Sequence, residues 1–230
     1  MAIAMYAESV FRFILAGLLI LTSAASAQTS PARLKNAVSA LLKQDAETLP
    51  SSEGVLFVGN SLVARWDLRH YFPQYRTVNR GIEGAILSDA TFYADQLIVP
   101  LKPSTIVFYP GENGAAELSR FLVKVHKSLP KSQILVLSIR PADAREDSLK
   151  LVHAANEKLK AIAEQDKQVR FVDLDELLLT PDGKPATDLL GEDQQTLSKD
   201  GYDLVSQVVR IAVKGAEERY WRGFNAPRGQ

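Results

Sequence analysis

The chain has 230 residues, 46% of them hydrophobic and 23% charged, a balance that suits one globular domain with a sizeable core. Lys plus Arg and Asp plus Glu are equal at 27 each, with no run of one sign. This excludes the electrostatic footprint of a nucleic-acid-binding or anionic-membrane-binding protein. Cysteine is absent, so no disulfide supports the fold.

In chain order, the first element is a processing segment. Arg12 precedes the apolar run "FILAGLLIL", and "ASA" at Ala25–Ala27 supplies small residues for cleavage, which predicts a secretory signal peptide over 1–27. An uncleaved anchor is the alternative, although the run is short for a bilayer. Cleavage leaves a periplasmic or secreted chain with no stable membrane span, held together by its core alone. A single domain follows over 28–222, and 223–230 reads as a flexible tail.

Within the domain, Leu34, Val38, Leu41 and Leu42 recur at helical spacing over Pro31–Leu49. Five short apolar runs read as strands: "VLFVG" (Val55–Gly59), "TVN" (Thr77–Asn79), "TIVFY" (Thr105–Tyr109), "ILVLSI" (Ile134–Ile139) and "VRFVDL" (Val169–Leu174). Helical stretches lie near Leu87–Leu101, Ala115–Leu129, Ser148–Gln165 and Asp200–Tyr220. Alternating strands and helices imply an α/β fold, a parallel sheet covered on both faces. Five strands point to a doubly wound, flavodoxin-like sheet, whose ligands sit beyond the carboxyl ends of the strands.

The strand exits carry the candidate chemistry. "GNSLVARW" puts Ser61 on a strand-to-helix turn, where it is either a nucleophile with an exposed hydroxyl or an N-cap. "VNRGIEGA" brings Gly81 and Gly84, and "YPGENG" brings Asn113 between Gly111 and Gly114. The amides of Ser61 and Gly84 with the Asn113 side chain would form a three-donor oxyanion hole. Each residue taken singly is equally ordinary turn chemistry. Their succession at consecutive strand exits is what singles them out. "GEDQQTLSKDGY" closes the series, with Asp193 and Thr196 three residues apart.

In these four blocks, and in the connecting "YADQL", "KPSTIVFY" and "LSIRP", the chain resembles the SGNH, or GDSL-type, hydrolases from about Val55 to the last helix. The resemblance implies a three-layer α/β/α sandwich and hydrolysis of an ester or acetyl group through an acyl-serine. Ser61 would attack, the Ser61 and Gly84 amides and Asn113 would hold the oxyanion, and Asp193 would orient the base. It implies no metal and no organic cofactor, and a small-molecule ester, lipid or acetylated sugar as ligand. The oligomeric state is left open.

Three positions depart from the family pattern. Glu83 precedes Gly84, and a carboxylate pointing inward there would oppose an oxyanion. Gly114 follows Asn113 in place of Asp. Thr196 stands where the family carries its catalytic His, and threonine cannot accept and return a proton near neutral pH. Of the three histidines, His70 lies within or just beyond the helix that Ser61 starts, and His126 is expected on a solvated helix face. His153, after the fourth strand, is the possible substitute base. Lys199 is a remote second candidate, expected on the solvent face of the last helix. Asp143, Glu146 and Asp147 lack His or Cys at ligand spacing, so they read as a solvated loop and helix start rather than a metal site. Trp66, Tyr71 and Phe72 fit a cleft wall or the core equally well. Three functions follow: an exported ester hydrolase, active or residually active through a substitute base after loss of the His; a non-catalytic relative binding an acylated or acetylated ligand; and a scaffold using the fold's surface alone, against which the retained Ser61, Gly84, Asn113 and Asp193 argue.

Overall fold

The computed structural model describes residues 31–48, 52–111, 117–140, 145–193 and 196–225. The signal segment, Asn113, Gly114 and Asp143 lie outside them. A 3-10 turn, Pro31–Leu34, leads into α1 (Lys35–Glu47). Then come β1 (Val55–Gly59), the one-turn helices α2 (Ser61–Ala64) and α3 (Leu68–Tyr71), β2 (Thr77–Gly81) and α4 (Leu87–Leu97). The chain continues through β3 (Thr105–Phe108), α5 (Leu118–Ser128), β4 (Gln133–Leu137), α6 (Glu146–Glu164), β5 (Val169–Val172) and α7 (Lys199–Asn225). Helix α7 runs three residues into the segment expected to be a tail.

The five strands form one parallel sheet in the order β2-β1-β3-β4-β5. In register, Val55 sits beside Thr77 on one side and Thr105 on the other. The apolar runs become central strands because both faces are covered, so successive side chains enter two different cores. Leu56, Val58, Ile106, Phe108, Ile134 and Val136 pack beneath α1, α4, α5 and α6. Val55, Phe57, Val107, Leu135 and Leu137 face α2, α3 and α7. Phe108 and Phe121 stack in the first core at 4.4 Å. Phe57, Trp66 and Phe72 form a tight aromatic group in the second, with centroids 4.9–5.7 Å apart. Trp66 and Phe72 are therefore core residues.

Strand order reverses about β1, which opens a crevice at the carboxyl ends of β1 and β3. Among the described residues no helix is long and apolar enough to cross a membrane.

Candidate active site

Ser61 opens α2 immediately beyond β1. Helix α2 is a single turn and too short to hold itself, so its neighbours fix it. The Asn60 side chain caps it by accepting from the Leu62 amide at 3.1 Å. The Asn79 side chain donates to the Val63 carbonyl at 2.8 Å and accepts from the Gly81 amide at 2.8 Å. From α7, the Tyr202 hydroxyl donates to the Leu62 carbonyl at 2.7 Å. Gly81 lets β2 end directly against this turn, because a Cβ there would lie 2.1 Å from the Ala64 nitrogen.

The loop after β2 carries Gly84 in the left-handed region, φ +70°, with open space where a Cβ would stand. Its carbonyl is held from behind by Arg33, which donates to it at 3.0 Å. The same guanidinium grips the buried Asp89 carboxylate at 2.9 and 2.7 Å, and Asp89 also accepts from the Ile86 amide at 2.8 Å. The short segment ahead of α1 thus braces the Gly84 loop.

The loop carrying Asp193 is closed by a Gly191 amide to Thr196 carbonyl bond at 2.9 Å and by pairing of Leu190 with Leu197. Asp193 Oδ1 accepts from both the amide and the hydroxyl of Thr196, each at 2.9 Å. Thr196 is buried, and its hydroxyl rests on the carboxylate.

Arg65, one helical turn after Ser61, joins these parts. Its Nη1 forms a short ion pair with Asp193 Oδ2 and lies 3.4 Å from Thr196 Oγ1. Its Nε donates to Glu83 Oε1 at 2.9 Å. The Ser61 hydroxyl lies beside the Glu83 carboxylate. That hydroxyl first, and the Arg65 guanidinium second, hold the Glu83 carboxyl below the ordinary glutamate range. The two carboxylates raise Arg65 correspondingly. The result is one continuous chain: Ser61, Glu83, Arg65, Asp193, Thr196.

The structure brings Ser61, Asp193 and Thr196 into one network, with Gly84 on the adjoining loop; Asn113 lies outside the described residues. His153 goes elsewhere: its Nδ1 is 3.0 Å from Asp175 Oδ2, just past β5. Three strand spacings separate β5 from β1, roughly 14 Å. Burial pushes the Asp175 carboxyl up and the nearby His153 pulls it back. His126 differs from the solvated residue expected of it, for it is partly buried with Nε2 2.7 Å from Asp166. His70 belongs to the separate helix α3, capped by Asp67. Lys199 pairs with Asp203 in solvent at 2.6 Å. Glu146 and Asp147 form the first turn of α6, and among the described residues no group of His, Cys, Asp and Glu could hold a metal.

Arg65 is the residue the motif reading overlooked. Its signal was present, since positions four apart share a helix face and "SLVAR" puts Arg65 four after Ser61. An apolar cavity of about 30 Å³ opens beside the site between the sheet and α4, bordered by Asn60, Ile82, Ile86 and Tyr109.

No family model matches the sequence, and no curated protein does. Solved structures match the fold. A structure described as a putative platelet activating factor from Streptococcus pneumonia has TM-score 0.71 at 20% identity, covering 84% of this chain and 98% of its own. A GDSL-like lipase from Bacteroides thetaiotaomicron has TM-score 0.67 at 18% identity, covering 78% and 98%. An acetylxylan esterase from Geobacillus stearothermophilus, solved as a catalytic mutant with a histidine changed to alanine, has TM-score 0.54 at 17% identity, covering 70% and 94%. With five parallel strands in flavodoxin-like order between two helical layers, this chain has the fold of the SGNH, or GDSL-type, hydrolases.

Proposed function

We propose that this chain is an exported ester hydrolase of the SGNH type that works through an acyl-Ser61 intermediate, at a rate impaired by the loss of an imidazole base. The observation that carries the reading is the setting of Ser61. It stands at the crevice where strand order reverses, and its hydroxyl lies beside a carboxylate that Arg65 ties to Asp193. The Ser61 and Gly84 amides, with Asn113, serve as the oxyanion donors. Asp193 keeps its place in the network, although Thr196 and Arg65 take the contacts an imidazole would need. Losing the base of a serine triad typically leaves oxyanion stabilisation and binding alone, roughly 10³–10⁴-fold over water. The small apolar cavity beside Asn60 suits a short acyl group. Acetyl esters, including those of sugars, therefore fit better than long-chain lipids.

Turnover of 4-nitrophenyl acetate by the mature chain, abolished in Ser61→Ala, is the expected result. Unchanged turnover in Ser61→Ala refutes the acyl-serine. One observation favours a second reading, a non-catalytic binder of an acylated or acetylated ligand: Arg65 bridges Asp193 and Glu83 across the site. Ligand binding in calorimetry, with no turnover and no labelling of Ser61 by a fluorophosphonate, would establish that reading instead.

A further inference from the structure

Resting on the hydrolase reading, we propose that Glu83 is the general base of this site, accepting the Ser61 proton in the role that histidine fills in a serine triad, and that Arg65 is the residue that positions it.

The geometry leads there directly. Glu83 leaves β2 at the point where Gly81 abuts α2, which brings its carboxylate onto the Ser61 hydroxyl. A base must come within hydrogen-bond reach of the proton it takes, a contact that often tightens only with substrate bound, and Glu83 stands next to that proton. Arg65 fixes the carboxylate through Nε at 2.9 Å while its Nη1 is anchored on Asp193. Asp193 thereby orients the base as a triad aspartate does, but through a guanidinium instead of an imidazole. Thr196 completes the anchor by donating to Asp193 Oδ1.

The same geometry answers the difficulty of a carboxylate next to the oxyanion donor Gly84. As Ser61 Oγ bonds to the acyl carbon, its proton moves to Glu83. The carboxylate becomes neutral while the carbonyl oxygen becomes negative, so the repulsion disappears as the oxyanion forms. Collapse breaks the bond to the leaving oxygen, which takes the proton from Glu83 and departs as the alcohol. Water then attacks the acyl-Ser61 carbonyl and gives a proton to Glu83. The Ser61–carbon bond breaks, the proton returns to Ser61 Oγ, and the carboxylic acid is released. Ester and water become acid and alcohol, and both side chains are restored.

A carboxylate held low is a weak base, so the site suits esters with good leaving groups. Its activity also has a pH signature. Among the described residues, the charged and titratable groups around Glu83 are Arg65 beyond α2, Asp193 in its loop and the Tyr202 phenol on α7, which also feels Arg140 past β4. No histidine is among them. Glu83 is depressed, so its ionised form persists as pH falls below the ordinary carboxylate value of about 4.3 and is lost only beneath it.

The test is the pH dependence of kcat/KM for 4-nitrophenyl acetate, measured from pH 3.5 to 8 on the mature chain. The expected profile is level from pH 5 to 8 with an acid limb below the ordinary glutamate range. Glu83→Gln should lower kcat at least 100-fold with KM little changed. Glu83→Asp should retain part of the rate, which guards against misfolding of the glutamine variant. Arg65→Gln should move the acid limb upward. A limb near pH 6.5, or full kcat in Glu83→Gln, overturns the inference. If Ser61→Ala is silent while Glu83→Gln is fully active, this inference alone fails. If wild type is silent, or Ser61→Ala turns over like wild type, the hydrolase reading fails and takes this one with it.

Discussion

Replacing Thr196 by histidine ought to rebuild a conventional triad, yet the structure predicts that this single change gains little. Both oxygens of Asp193 are engaged, one by Thr196 and the other by the Arg65 guanidinium. An imidazole at 196 would stand beside a fixed cation that already lies 3.4 Å from the Thr196 hydroxyl. Two unit charges 4 Å apart repel by about 1 kcal/mol in water and about 4 kcal/mol at an effective dielectric of 20. Arg65 is half exposed, so solvent screens part of this repulsion and the effect falls between those limits. That penalty falls on the imidazolium formed in the transition state and corresponds to roughly 30-fold in rate. A positioned base is worth roughly 10²–10⁴-fold, and a loss of roughly 30-fold leaves Thr196→His alone with roughly 3–300-fold of it. In Thr196→His/Arg65→Ala the cation is gone and Asp193 is released to orient the ring. Its kcat/KM for an aryl acetate at pH 8 should exceed the product of the two single-variant effects by about 30-fold, the mark of coupled residues. A full gain in Thr196→His alone, or strict additivity across the cycle, would refute the claim that Arg65 holds the place of the missing histidine.

Other variants probe the supports of the site. Arg33→Ala strips the buried Asp89 of its counter-charge and should cost about 3 kcal/mol, read as a drop in Tm of roughly 6–12 °C in a domain of this size, with kcat falling as the Gly84 loop loosens. Tyr202→Phe leaves the buried Leu62 carbonyl without its donor at 2.7 Å and should lower stability by about 1–3 kcal/mol in urea denaturation; an unchanged midpoint would remove Tyr202 from the framework of the serine turn. His153→Ala should leave turnover unchanged, because His153 is committed to Asp175 beyond β5; a large loss of kcat would reinstate it as a base.

The fold was legible because its signals are local and repeated. Each β-run is short, apolar and stopped by a turn, and helical periodicity fills the intervals. Boundaries moved where tertiary contacts decide them. β2 extends from Asn79 to Gly81 because Gly81 pairs with Gly59 in the sheet. The helix opened by Ser61 stops after one turn and Asp67 caps a separate one, a break that the run "SLVARWDLRHY" does not announce. The candidate site could be picked out of the sequence one residue at a time, at Ser61, Gly84 and Asp193. Its wiring could not, because it joins side chains far apart in the chain: Arg65 meets Glu83 across 18 positions and Asp193 across 128. Motif comparison registers Thr196 as a loss and Glu83 as a clash. Only their juxtaposition through Arg65 shows that the two departures from the family pattern belong to one network.

Intact-protein mass spectrometry tests the central claim most directly. Mature protein is quenched in acid seconds after mixing with 4-nitrophenyl acetate, and the modified residue is mapped by peptide fragmentation. The account predicts a single acetyl group on Ser61 in wild type and none in Ser61→Ala. Nitrophenol release with Ser61 unmodified at every quench time, and equal in the alanine variant, would contradict it.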